Sequence, residues 1–206
     1  RSKVEILNLS NEFVIAILSK EKFLSLENSK NKIGYTIKFR EDPIFLDPRH
    51  SDLGARLIIN LEKLHLSLKL LKLKSKNINE YYSLSSKLGI PQKNTDKLQN
   101  NIFGIECNLE ELNGLDFKKG CYIGQENTAR IKLKNKLFKR LFSIKIIDGL
   151  LSKEKNITHD NLEIGKILIF DEHPFAVIKF KDKNFNFEKN YRCGEAIIKV
   201  IKPSWL

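Results

Sequence analysis

The sequence predicts an α+β chain that ends in a small antiparallel β domain. Two apolar strand candidates, 13–18 (FVIAIL) and 33–39 (IGYTIKF), flank a segment with helix-compatible spacing at 20–26. After Leu137 the pattern changes to four short β-branched runs separated by polar loops that contain glycine or proline. Such regular spacing is typical of a small antiparallel barrel or sandwich. The four runs are RLFSIKII, EIGKILIF, PFAVIKF and EAIIKVI.

Further elements follow from local patterns in the first part of the chain. Val4, Ile6 and Leu9 predict a short strand before 13–18. In the segment 47–59 (DPRHSDLGARLII), a proline turn leads into an apolar strand, so polar side chains lie at the strand entrance. Asn77 with Glu80 forms a capping-box pattern for a helix that runs through Leu88. Gly89 and Pro91 would end that helix.

The length of 206 residues fits two domains, and we expect them at 1–136 and 137–206. No window reaches the roughly 18 apolar residues that a membrane helix needs, and the first residues of the sequence lack the short apolar run of a secretory signal. Three cysteines without C-x-x-C or Cys/His clustering indicate neither a disulfide framework nor a metal site. The sequence therefore predicts a monomeric cytoplasmic protein that does not bind membranes.

The net charge of +12 is compatible with a polyanionic partner such as tRNA. However, the lysines are scattered along the whole chain among many isoleucines and asparagines rather than gathered in one dense stripe. The charge is therefore better explained by amino-acid usage than by nucleic-acid binding as the main function.

The strongest chemical signal is a cysteine between two glycines, in LDFKKGCYIGQENTAR. Gly120 and Gly124 permit a tight backbone around Cys121 and a close approach of a ligand. The next residues, 125–132, are helix-compatible, so the thiol would lie just before a helix N-terminus. That terminus and the two preceding lysines would favour thiolate over thiol. An isolated intracellular cysteine is equally often a small buried apolar residue, and the local chemistry leaves both interpretations open.

The residues Lys119–Glu126 (KGCYIGQE), followed by Thr128, Ala129 and Arg130, match position for position the signature of the YgfZ family, which supports iron-sulfur proteins. Other segments follow the family order over nearly the whole chain: RSKVEI, DPRHSDLGARLI, LGIP, IECNLEELNGLDF and the terminal Pro203 and Trp205. In the family, RSKVEI follows a segment of several dozen residues. The chain therefore resembles the C-terminal two-thirds of a member.

This resemblance implies the fold of the glycine cleavage T-protein, an aminomethyltransferase, with a folate-sized cavity in the first domain and a C-terminal β-barrel. It implies binding of a tetrahydrofolate derivative and help in the assembly or repair of iron-sulfur clusters, with effects on tRNA-modifying enzymes. Folate and iron-sulfur client or assembly proteins would be the partners. Transferase chemistry is not implied, because the catalytic acid of the T-protein lies upstream of the matched region.

Cys121 is the working group that the resemblance implies, through thiolate chemistry or transient contact with a cluster. Glu106 is a candidate for either bracing the cysteine loop or contacting a ligand, with bracing favoured. Arg130 would bind an anionic tail or pair with Glu126 at i, i+4. In the Asp-Pro-Arg segment, turn formation explains the aspartate and the proline without any further function. It does not explain Arg49, which is therefore a candidate functional residue. The candidate cofactor-binding residues are Lys119, Tyr122, Gln125, Glu126, Arg130, Glu106 and Arg49.

One departure from the family concerns the end of the LGIP helix, where members have a glutamate that in the T-protein contacts the pterin and an arginine two residues earlier. Lys87 and Ser85 stand at those positions. An ammonium group cannot accept hydrogen bonds from a pterin, so weak or altered folate binding is expected. Two rival functions stay open: a one-carbon transferase that uses tetrahydrofolate, and a tRNA-binding module.

Overall fold

The computed structural model describes residues 3–152 and 155–206. The chain divides into two compact units, Arg1–Asn77 and Ile78–Leu206. The segment 78–136 belongs to the same compact unit as the C-terminal strands. The sequence predicts a domain boundary between residues 136 and 137, where the ligand-binding domain would end. This boundary stays a prediction.

The first unit is an antiparallel sheet with two helices. Its strands lie in the spatial order β1-β4-β3-β2. They are β1 (Phe13–Leu18), β2 (Thr36–Phe39), β3 (Asp42–Leu46) and β4 (Ala55–Asn60). The helices are α1 (Lys20–Leu24) and α2 (Leu61–Leu70), and a 3-10 turn covers Ser51–Leu53.

One face of this sheet forms the core of the first unit. Successive side chains of a strand point to opposite faces, and the alternation of apolar residues along β3 and β4 buries every second one. Phe23 from α1 packs into the same core with no exposed surface. The buried strand residues of this cluster are Leu18, Ile44, Leu46, Ala55, Leu57 and Ile59.

The second unit carries two helices and a closed six-stranded barrel. The helices are α3 (Ile78–Lys87) and α4 (Gln125–Leu133), with a 3-10 turn at Thr95–Leu98. All pairs of neighbouring barrel strands are antiparallel, in the order β10-β5-β8-β7-β6-β9. The strands are β5 (Arg140–Asp148), β6 (Asn156–His159), β7 (Leu162–Ile169), β8 (Phe175–Ile178), β9 (Asn190–Cys193) and β10 (Ala196–Val200).

The predicted antiparallel β domain is confirmed as a barrel. Its four β-branched runs are β5, β7, β8 and β10, whose inward side chains form a buried cluster. β6 and β9 were not predicted, because their sequences, NITH and NYRC, are largely polar. Tyr191 of β9 is nevertheless buried, and its hydroxyl donates to the Asn186 carbonyl at 2.7 Å.

Local predictions in the rest of the chain met mixed outcomes. The helix that ends before Gly89 is α3, and Gly89 has a φ of +72°. The strand predicted at Val4 to Leu9 is wrong, since these residues form no strand and their apolar side chains are exposed. A segment with alternating apolar residues does not form a strand when no neighbouring strand pairs with it and no core covers its apolar side chains. β3 was missed because it starts at an Asp-Pro pair that reads as a turn.

We predict that Gly54→Ala destabilises the first unit by more than about 2 kcal/mol, because strain and a clash add. Gly54 has a φ of +81°, and an added Cβ would lie 2.0 Å from the Leu18 carbonyl oxygen. Gly34→Ala is the matched control, since its φ is +70° but the nearest atom to an added Cβ is 3.9 Å away. Denaturant unfolding measures both, and equal losses would contradict the steric argument.

Candidate functional site

Cys121 lies in an exposed loop immediately before α4. Its side chain is exposed, so it is not a core residue, and the sequence alternative of a small buried side chain does not apply. A Cβ added to Gly120 or to Gly124 would meet no atom within 4 Å, so this loop is open on the side of both glycines. Gly124 is the residue before α4 and has a φ of +84°, a left-handed conformation that favours glycine.

The start of α4 holds the loop by reciprocal hydrogen bonds. The Gln125 side-chain oxygen accepts from the Tyr122 backbone N–H at 3.1 Å, and the Gln125 N–H donates to the Tyr122 carbonyl at 3.2 Å. The buried Thr128 hydroxyl donates to the Gly124 carbonyl at 3.2 Å. Gln125 therefore has a structural role, which resembles that of the acidic or amide residue in a capping box.

The loop lies in positive surroundings. Lys118 and Lys119 are exposed, and the Lys119 ammonium lies 5.2 Å from the centre of the Tyr122 ring, within the range of a cation–π contact. The N-terminus of α4 adds partial positive charge. The Tyr122 hydroxyl is buried and has no hydrogen-bond partner among the described residues.

Lys132, in the last turn of α4, ties this helix to the residues that precede the loop. It forms an ion pair with Glu110, and its ammonium lies 4.0 Å from the centre of the Phe117 ring. Glu126 and Arg130, in contrast, are both exposed, and the structure as far as it is described shows no ion pair between them. Of the two alternatives for Arg130, the helical pair is absent and the side chain projects into solvent.

Glu106 braces its own turn. Its carboxylate accepts from the Phe103 N–H at 3.0 Å, and its backbone carbonyl accepts from the Leu141 N–H at 2.8 Å. The neighbouring Cys107 is partly buried, and burial together with the Glu106 charge raises the pKa of the Cys107 thiol to about 11. Cys107 is therefore protonated at neutral pH, and the Glu106 contacts are those of a structural residue.

A buried polar network that the sequence did not predict lies next to Glu106. The Asn108 side chain donates to the Leu141 carbonyl at 2.8 Å and accepts from Arg140 at 2.8 Å. Arg140 also pairs with Glu111 at 2.6 Å. The only sequence signal was an asparagine inside the apolar pattern of IECNLEEL, which predicts a buried polar side chain without indicating its partners.

Arg49 belongs to the first unit and is held by Asp47. Its Nε and Nη2 donate to the two Asp47 oxygens at 3.0 and 2.7 Å, and Arg56 donates to Asp47 at 2.9 Å. Burial alone would raise the pKa of the Asp47 carboxyl, but hydrogen bonds from Arg49 and Arg56 outweigh it and hold that pKa below its usual value. Arg49 thus organises the strand entrance together with Arg56.

Two concave sites on the second unit have different linings. The larger, of about 160 Å³, is formed by barrel residues together with Asn101 and Lys139, and the smaller, of about 10 Å³, lies near Ser85 and His173. Neither reaches the roughly 300 Å³ of an ordinary small-molecule pocket, and neither is lined by the loop of Cys121. A folate-sized cavity therefore stays a prediction.

Within the described ranges, no helix is both long and apolar enough to cross a bilayer.

Comparison with known proteins gives one consistent group of relatives. The chain is 33% identical over 146 residues to a protein of Dictyostelium discoideum named iron-sulfur cluster assembly factor IBA57 homolog, mitochondrial; the match covers 70% of this chain and 35% of that protein. The human and mouse proteins named IBA57 are 42% and 39% identical over 62 and 70 residues, which is 30% and 34% of this chain and 17% and 20% of theirs. The chain thus spans about a third or less of these relatives. No family model matches it.

We predict that the three thiols react with an alkylating reagent in the order Cys121, Cys107, Cys193. Cys121 is exposed, whereas Cys193 has no exposed surface. At pH 8 a thiol with a pKa near 11 is about 0.1% thiolate, so Cys107 should react at least about 100-fold more slowly than an exposed ordinary thiol. Peptide mass spectrometry of the native and urea-unfolded chain measures the rates. Equal native rates would contradict the burial pattern.

Proposed function

We propose that this chain, which is a homologue of the IBA57-type iron-sulfur cluster assembly factors and a member of the YgfZ/GcvT-like folate-binding family, supports the assembly of iron-sulfur clusters. The single observation that carries the proposal is the exposed thiol of Cys121, in the loop that the resemblance marks as functional. A thiol that contributes nothing to the core is free for chemistry with a partner.

Cys121 would act as a transient ligand or a thiolate nucleophile. Iron-sulfur clusters are commonly held by four protein ligands, mostly cysteine thiolates. In the part of the chain that the structure describes, no three His, Cys, Asp or Glu side chains are grouped so that they could hold a metal ion. A cluster that contacts Cys121 would therefore take its other ligands from an assembly or client protein, and the contact would be a transfer step rather than storage.

The proposal includes binding of a tetrahydrofolate derivative by the first domain, with an aminomethyltransferase-like fold over 1–136. Lys119, Glu126 and Arg130 are exposed and carry charges that suit a folate carboxylate or a polar ring edge. Tyr122 offers a ring face, and Gln125 and Glu106 would position backbone of the second unit. Arg49 would position the strand entrance of the first unit. Client enzymes would include enzymes that modify tRNA. The relatives are named mitochondrial, and a cytoplasmic location for this chain remains a prediction.

We predict that Cys121→Ala abolishes rescue of cells that lack an IBA57-type factor, measured by the activity of their iron-sulfur enzymes. Because Cys121 is exposed, the substitution should change the free energy of unfolding by no more than about 0.5 kcal/mol. Cys107→Ala and Cys193→Ala are the controls, and both should retain rescue. Because Cys193 is buried, Cys193→Ala should lower the free energy of unfolding by about 1 kcal/mol. Full rescue by a stable Cys121→Ala protein would refute the role of the thiol.

A second prediction concerns Lys87, the exposed last residue of α3. We expect the wild-type chain to bind a reduced folate weakly and Lys87→Glu to bind it about tenfold more tightly, because a carboxylate accepts hydrogen bonds from the pterin. Lys93→Glu makes the same charge change a few residues later and is the control. Calorimetric titration measures the affinities. Tight binding by the wild type, weakened by Lys87→Glu, would show that the argument for a pterin-facing carboxylate at this position is wrong.

A further inference from the structure

The larger concave site of the second unit lies on the outer face of the barrel. Lys166 of β7 is directly opposite Val177 of β8, and Leu168 lines the same site two residues along β7. Residues opposite each other in an antiparallel pair share a face of the sheet. Asn101 and Lys139 complete the wall of a cavity of about 160 Å³.

The lining carries a net charge of about +2. Lys179 donates to the Glu163 backbone carbonyl at 3.0 Å and lies 3.2 Å from the Glu163 carboxylate, so these two charges neutralise each other. Lys139 and Lys166 also line the cavity. Neither ammonium group has a hydrogen bond or an ion pair with any residue in the ranges 3–152 and 155–206. Two lysines therefore line one cavity, and neither has a counter-charge among the described residues.

The floor and the rim of this cavity are held in place by short contacts. A Cβ added to Gly165, another lining residue, would lie 2.5 Å from the Val177 carbonyl oxygen, which shows how closely β7 and β8 approach each other there. At the rim, the Asn101 amide donates to the carbonyls of Lys97 and Gln99 at 3.1 and 3.2 Å. The cavity is thus built from a barrel wall and a hydrogen-bonded turn.

We propose that this cavity binds the phosphate group of a small phosphate monoester. A monoester carries about −1.5 to −2 charges at pH 7, which matches the net charge of about +2 on the lining, whereas a nucleic-acid phosphodiester carries only one. The volume corresponds to roughly five water molecules at about 30 Å³ each, enough for a phosphate and its first ester atoms. Leu168 and Val177 supply an apolar wall for those carbon atoms. This site goes beyond the proposed role of Cys121, which does not line it.

The test is titration of the ¹⁵N-labelled full chain with methyl phosphate, dimethyl phosphate and a short single-stranded RNA at constant ionic strength. We expect methyl phosphate to shift the amide signals of Gly165, Lys166 and Leu168, and to bind at least about tenfold more tightly than dimethyl phosphate. Lys166→Gln and Lys139→Gln should each weaken this binding about tenfold, and Lys166→Arg should retain it. Lys145→Gln is the matched control, since Lys145 is an exposed lysine of β5 that does not line the cavity.

Two results would overturn the proposal. If methyl phosphate shifts no amide of β7 or β8 at millimolar concentrations, the cavity is not a phosphate site. If the diester or the RNA binds as tightly as the monoester, and Lys145→Gln weakens binding as much as Lys166→Gln, the lysines act only as part of a general basic surface. An unchanged spectrum of each free variant establishes that a loss of binding does not result from unfolding.

Discussion

The second unit depends on how the turn at 106–108 closes the start of β5. Strand β10 pairs with β5 only from Ile144 onward, so the backbone of Leu141 would lack a partner on that edge. The Glu106 carbonyl accepts a hydrogen bond from the Leu141 N–H, and the Asn108 side-chain amide donates one to the Leu141 carbonyl, both at 2.8 Å. Buried backbone groups must be satisfied in this way, because an unpaired one costs about as much as a lost hydrogen bond.

Arg140 makes the same junction electrostatically stable. Its guanidinium is nearly buried, and it donates to Asn108 and pairs with Glu111, while its plane lies 5.6 Å from the centre of the Phe180 ring. A buried cation without a partner would cost several kcal/mol, so the Glu111 carboxylate is as necessary as the hydrogen bond. The segment before the cysteine loop is therefore attached to the barrel by a largely buried ion pair rather than by apolar packing alone.

Rigidity at the base of the cysteine loop and exposure at its tip go together. Gln125, Thr128 and Lys132 attach α4 and its first turn to neighbouring residues, so the loop ends are set without any contact from Cys121 itself. The thiol can then meet a partner without loss of core packing. The barrel cavity is arranged in a similar way, since paired strands form its floor, while the side chains of Lys139 and Lys166 have no ion pair with any described residue.

The sequence by itself determined the features that depend on neighbours along the chain. The β-branched runs of the barrel, the helix that ends before Gly89, and the helix after Gly124 follow from local periodicity and from glycine conformation, and the KGCYIGQE motif carries the resemblance to the YgfZ family. Tertiary structure alone decided the exposure of Cys121, the strand pairing of the polar segments β6 and β9, and the failure of Val4–Leu9 to form a strand. It also decided which lysines border a common cavity. These outcomes rest on pairing and burial between residues that are distant in sequence, and periodicity along the chain carries no information about such distances.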